Sequence, residues 1–261
     1  MSWILLTNDD GIDSPALGPF ADALSTLGDV RAVVPDGERS WVGKAITRHA
    51  DITTREDHRL GVPTLTVSGY PADAVQVAAV AFDSPPGLIV SGINLGYNHG
   101  AGYLMGSGTV GAAVEGWELN IPSYAFSAGS DGDWNAWHLH ASSPASIPQW
   151  RCLSELCVSL LAEIRAAGLP GDIVNVNVPW NADSETPRRV TNVARVAYGQ
   201  IHQPHGDGVF RHAYEEDFTV HAPLDGTDVG VNCAGEIAIT PIMMPQSPMV
   251  DDDVRQALER R

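Results

Sequence analysis

Lysine is almost missing from this chain: Lys44 is the only one, and no lysine or arginine occurs between Arg59 and Arg151. With a formal net charge of −17, the chain lacks the cations needed to grip a nucleic-acid polymer, whose phosphates must be neutralised one by one. A P-loop is excluded as well, because no GK[ST] triplet follows any of its glycines. Cysteine is scarce: Cys152, Cys157 and Cys233 are an odd, scattered set without metal-ligand spacing, which predicts reduced thiols in a cytoplasmic protein. Long apolar runs are absent, so no membrane span is expected. The opening MSWILLTNDDG has no basic segment and turns acidic within ten residues, unlike a secretory signal.

What is present is ordinary core-building material, 44% hydrophobic over 261 residues, arranged in alternating patterns. Ile4 to Thr7 is a short apolar run that breaks off at Asn8, Asp9, Asp10 and Gly11, as a buried parallel strand does. Ser14 to Leu27 has helical spacing, with Ser14 as N-cap, Pro15 at the first helical position and Gly28 closing it. Further strands are expected at Val30–Val34, Thr64–Ser68, Leu88–Ser91, Tyr124–Ser127 and Ile173–Val178, and helices at Pro71–Phe82, Thr109–Leu119 and residues 150–167. This alternation predicts an α/β fold, a mostly parallel sheet with helices on both faces and ligands at the strands' carboxyl ends. Helical periodicity is lost after about residue 185. We therefore expect one domain: a core of about 1–185, a β-rich appendage of about 186–235 (Phe210 to Val220 extended), and a closing strand and tail, 236–261.

The chemistry-bearing residues fall at predicted strand ends. Asp9 and Asp10 follow the first strand; two adjacent carboxylates repel unless a cation lies between them. GERSWVG (37–43) follows the second strand and brings Ser40; SGINLGYNHG (91–100) brings Asn94 and Asn98. Alone, each is an ordinary turn, but together they are an all-oxygen set of the kind that Mg²⁺, Mn²⁺ or Ca²⁺ prefers over zinc. In GSGTVGAAVEG (106–116), small residues run into a helix, so N–H groups of Ser107, Gly108 and Thr109 are placed to meet an anion; close helix packing would equally want small residues. Gly106, Gly108 and Gly111 also match GxGxxG, but that fingerprint needs a strand directly before it, and the nearest ends around Ser91. A haloacid-dehalogenase-type site fails because Asp9 is not in a DxD pattern and no lysine lies beyond Lys44.

Taken together, LLTNDDGIDSPAL, ERS at 38–40, YPADAV, IVSGINLGYNHG, SGTVGAAVEG, VNVNVP and AGEIAITPI resemble the SurE family, the stationary-phase survival nucleotidases, in order and over most of the chain. The resemblance implies a Rossmann-like core and one divalent metal (Mg²⁺ or Mn²⁺) on Asp9, Asp10, Ser40 and Asn94. It also implies phosphate contacts from Asn98, Ser107, Gly108 and Thr109, with Asp9, Asn98 and Ser107 catalytic. It further implies a nucleoside 5′- or 3′-monophosphate as substrate, and a homodimer, or dimer of dimers, built through the C-terminal segment. The chain departs from the family's usual pattern at Trp41 (usually glycine), Tyr70 and Gly106 (usually aromatic). A water activated at the metal and an aspartyl-phosphate through Asp9 are both compatible with this set, and a non-catalytic nucleotide sensor would use the same pocket.

Overall fold

The computed structural model describes residues 2–259 except 131, 214–218, 246, 248, 250, 252–253 and 256–257. Strand β1 (Ile4–Thr7), helix α1 (Leu17–Leu24) and β2 (Val30–Pro35) come first. They are followed by β3 (Thr54–Asp57), β4 (Thr64–Val67), α2 (Pro71–Ala81) and β5 (Leu88–Leu95). Then come α3 (Gly100–Gly106), α4 (Gly108–Glu118), β6 (Ser123–Gly129), α5 (Trp134–Ala141), α6 (Ile147–Ala167) and β7 (Ile173–Pro179). The short strands β8 (Arg188–Val190), β9 (Val196–Ala197), β10 (His202–Pro204), β11 (Phe210–His212) and β12 (Thr219–Val220) precede α7 (Asp228–Cys233) and β13 (Ile237–Ile242).

Among the described residues, nine strands form one sheet in the order β3-β4-β2-β1-β5-β6-β7-β13-β8. The six from β4 to β7 run parallel. β3 and β13 pair antiparallel with β4 and β7. Alternation along β1 explains the layers: Ile4 and Leu6 join α1 and α6 in the larger apolar cluster, while Leu5 joins α2 and Ala112 of α4 in a second cluster on the other face. With both faces covered, the central strands are buried along most of their length and largely apolar, as parallel sheets are. From β1 the chain goes to β2 and β4 on one side, then returns to β5 on the other side of β1. That reversal is a topological switch point, where the carboxyl ends of β1 and β5 diverge and leave a crevice.

Several expected boundaries differ. Helix α1 starts at Leu17 with Ala16 as N-cap, three residues after Ser14. Pro19 is the reason: deep in a helix it would remove a needed N–H, but in the first turn that N–H has no partner to lose. The helix ends at Leu24, where the Ser25 hydroxyl donates to the Ala21 carbonyl at 2.8 Å; Gly28 is not its closing residue. β5 continues past Ser91 to Leu95 through a register shift against β6, and α3 occupies a stretch expected to be loop. In the appendage, Phe210 to Val220 holds β11 and β12, which pair with β10 and β9; residues 214–218 lie outside the described set. No helix among the described residues is long and apolar enough to cross a membrane, and all three cysteines are free thiols.

Candidate active site

The crevice at the switch point is a cleft of about 830 Å³ whose lining includes Asp9, Asp10, Ser40, Asn94, Asn98 and Ser107. Six of the eight residues singled out in the sequence thus meet in one place. The turn after β1 is built by Asn8, whose side chain exchanges hydrogen bonds with Gly11 at 3.0 and 3.2 Å. Gly11 has φ +80°, and a Cβ there would lie 2.6 Å from the Gly37 carbonyl carbon, so the loops after β1 and β2 touch through glycine backbone. The Arg39 N–H donates to the Asp9 carbonyl at 2.7 Å, which fixes the Ser40 loop against the aspartates.

Asp9 is buried and Asp10 is half-buried. Burial, opposed by hydrogen bonds from Thr109 and Gly108, raises the Asp9 carboxyl above its ordinary range. Burial and then the neighbouring Asp9 charge push Asp10 well above its own. The remaining two residues, Gly108 and Thr109, contact Asp9 directly. The Gly108 N–H donates to Asp9 Oδ2 at 3.1 Å, and the Thr109 hydroxyl donates to Asp9 Oδ1 at 2.5 Å. Both residues are buried behind the cleft. The anion that the α4 N-terminus meets is therefore Asp9 itself, because β1 delivers that carboxylate to the helix end. Ser107 stays in the lining; its Oγ accepts from the Val110 N–H at 3.1 Å as the N-cap.

Asn98 is held from three sides. Its N–H donates to Asn177 Oδ1 at 2.8 Å, its carbonyl accepts from Asn175 Nδ2 at 2.7 Å, and its own Nδ2 donates to Ser127 Oγ at 2.8 Å. Asn94 Nδ2 donates to the Gly96 carbonyl at 2.7 Å, so its Oδ1 is the atom left for a ligand. Ser40 Oγ donates to Glu38 Oε1 at 2.6 Å. Asp10 Oδ2 accepts the Leu95 N–H at 3.2 Å.

The donor set fits a hard divalent cation. Two crowded carboxylates sit beside the neutral oxygens of Ser40 and Asn94, and among the described residues neither Lys nor Arg lines the cleft. Among the described residues no group of three or more His, Cys, Asp or Glu is arranged to hold a metal. Arg39 pairs instead with Asp36 at 2.7 Å and Lys44 with Glu115 at 2.5 Å.

Reading the sequence alone missed Glu38, Trp41, Tyr97, Tyr103, Trp134, His138 and His212 as cleft residues. It also missed the supporting roles of Asn175, Asn177 and Asn232. The signal for the asparagines was present: VNVNVP places two carboxamides in a strand buried on both faces, where each needs a partner. Asn232 Nδ2 donates to the carbonyls of Asn177 and Glu236, both at 3.1 Å, so its Oδ1 accepts from His99 Nδ1 at 2.9 Å.

Residues 4–200 match the model of the survival protein SurE family. The 5′-nucleotidase SurE of Methanopyrus kandleri is 34% identical over 244 residues, covering 92% of this chain and 90% of that protein. Its namesake from Syntrophotalea carbinolica is 36% identical over 246 residues, covering 92% and 90%. The crystal structure of the SurE protein from Aquifex aeolicus superposes with a TM-score of 0.72 at 29% identity, covering 98% of each chain. The chain belongs to the SurE family.

Proposed function

We propose that this protein is a phosphomonoesterase that converts nucleoside 5′-monophosphates, and 3′-monophosphates as a second class, into nucleoside and phosphate. The observation that carries the reading is the pair Asp9 and Asp10, crowded together in a cleft that no lysine or arginine among the described residues lines. Such a cleft binds a phosphate only if a cation is added to it. Asp9, Asp10, Ser40 and Asn94 would hold that ion, Mg²⁺ or Mn²⁺, which supplies charge neutralisation and a more acidic water.

The chain's own groups do the rest. Gly108 and Thr109 clamp both oxygens of Asp9, so the carboxylate is preorganised and costs no reorganisation when substrate arrives. The Ser107 hydroxyl accepts from Val110 and keeps its own proton to donate to a phosphoryl oxygen. Asn98 Nδ2 gives one proton to Ser127 and retains the other for the same purpose, and its position is fixed by Asn175 and Asn177. Relatives of this length named as 5′-nucleotidases support the substrate class. We further propose that the appendage joins two chains into a dimer, or a dimer of dimers.

The test is phosphate release from AMP. We expect turnover with added Mn²⁺ or Mg²⁺, none in excess chelator, and recovery when metal is restored. Asp9→Asn should keep the circular dichroism of the parent and lose on the order of 10²-fold or more in kcat/KM. Binding of AMP without any phosphate release would replace the enzyme with a nucleotide sensor.

A further inference from the structure

The cleft is larger than a phosphate requires: about 830 Å³ lies in the range of pockets that enclose a whole small molecule. The part of the ester beyond its phosphate must lie along the remaining wall. Glu38 is there, and among the described residues no lysine or arginine lines the cleft, so further anionic groups on the ligand are disfavoured. Aromatic rings dominate instead.

Trp41 is the notable one. Its backbone is left-handed, φ +60°, a strained conformation for a bulky residue that persists where the surroundings impose it. It is also 38% exposed, so core burial does not account for it. The ring is oriented by Tyr198 at 4.8 Å (88°), His212 at 5.6 Å (56°) and Tyr103 at 6.1 Å (54°). Its loop is pinned to the α3–α4 junction by the Gly43 N–H, which donates to the Gly106 carbonyl at 2.8 Å. The Trp41 Cε3 packs on Gly106, 3.5 Å from where a Cβ would stand. The indole thus adjoins Ser40 in sequence and, through Gly106, Ser107 in space.

We propose that Trp41 is the platform on which the aromatic base of the substrate stacks, and that it sets a preference for purine over pyrimidine monophosphates and for both over aliphatic phosphate esters. This rests on the phosphomonoesterase reading above. Stacking suits the wall because every base presents a π-face, and the larger purine ring covers more of the indole. Trp134, on the same cleft, is the weaker candidate: it is half-buried against the main core and stacked on His138 at 5.3 Å and 28°.

The experiment compares kcat/KM of wild type, Trp41→Leu, Trp41→Gly and Trp41→Phe, all with Mn²⁺, on AMP, CMP and glycerol phosphate. Trp41→Gly removes the ring and the strain together, so it reports even if Trp41→Leu folds poorly. We expect loss of the ring to lower the AMP-to-glycerol-phosphate ratio of kcat/KM about tenfold, mainly through KM, with CMP less affected and Trp41→Phe restoring most of the ratio. Equal losses on all three esters would overturn the proposal and make Trp41 a support of the phosphate loop. If wild type hydrolyses none of them, the phosphomonoesterase reading fails. Calorimetric binding of adenosine, which needs no turnover, still decides the platform: unchanged affinity in Trp41→Leu and Trp41→Gly sinks it, and about tenfold weaker binding upholds it.

Discussion

A methyl group on residue 108 would lie 2.8 Å from the Asp9 Cβ and 2.9 Å from its Oδ2, too close for either to stay in place. Gly108 is therefore required by close approach; its φ is not among the positive ones. Gly108→Ala should cost far more kcat/KM with Mn²⁺ than Arg39→Ala, because the first dislodges the clamped carboxylate. The second removes an exposed ion pair with Asp36 worth ~1 kcal/mol or less. Steady-state kinetics on both, with circular dichroism as the folding check, decides; a greater loss for Arg39→Ala would mean that side-chain charge holds the phosphate. Asp10→Asn should abolish activity yet raise stability in chelator by ~1 kcal/mol, since it removes repulsion from a buried neighbour. Urea unfolding in EDTA measures it. Adjacency made this pair legible in the sequence. The clamp was not, because which anion a helix end meets is settled by the tertiary path of β1. The departures at positions 41 and 106 also find their meaning only in space: the indole of Trp41 packs on the bare backbone of Gly106.

Elements carry these residues to their places, and the loop between β2 and β3 is the least regular of them. Its anchor is the single lysine: Lys44 Nζ lies 2.5 Å from Glu115 Oε2 on α4, while Gln76 from α2 donates to Oε1 of the same carboxylate. Glu115 is 4% exposed, so Lys44→Met would leave a buried charge without its counter-ion. We expect a loss of about 2 kcal/mol, below the fully buried case because Lys44 is partly exposed, and recovery of most of it in Lys44→Met/Glu115→Leu. Urea denaturation of these two variants and of Glu115→Leu alone checks it, and additive losses would remove the pair from the account. The elements that were legible are those with one clear period, α2, α4, α6 and the apolar strands. β5 runs on to Leu95 where the sequence pattern stops at Ser91: Gly92 has φ +128° and sits against the Phe126 carbonyl, a contact no local pattern announces. α3 is hidden because GAGYLMG has poor helix formers at both ends, and it is held from outside by the Ala101 N–H, which donates to the Ala194 carbonyl at 2.8 Å.

At the scale of the whole molecule, strand–helix alternation was enough to predict the sheet, and strand ends were enough to predict the cleft. The order of strands was not, since the return from β4 past β1 to β5 leaves no trace in local composition. The appendage raises the remaining question of assembly. β10 and β11 form a two-stranded ribbon whose residues are all exposed, and Phe210 at its end is 63% exposed. An isolated two-stranded ribbon is marginal in water, and an exposed phenylalanine adds nothing to its stability unless something covers it. The ribbon nevertheless bears on the site: His212 lines the cleft and meets Trp41. A second copy of the chain, packing its own ribbon against this one in a closed two-fold arrangement, would stabilise both ribbons and the aromatic wall together. We therefore expect the protein to be a dimer or larger at micromolar concentration by light scattering. Phe210→Asp should shift it toward monomer and, through the loosened wall, raise KM for AMP more than it lowers kcat. A wild type that scatters as a monomer, or a Phe210→Asp variant that keeps both its mass and its KM, would show that the ribbon stands alone.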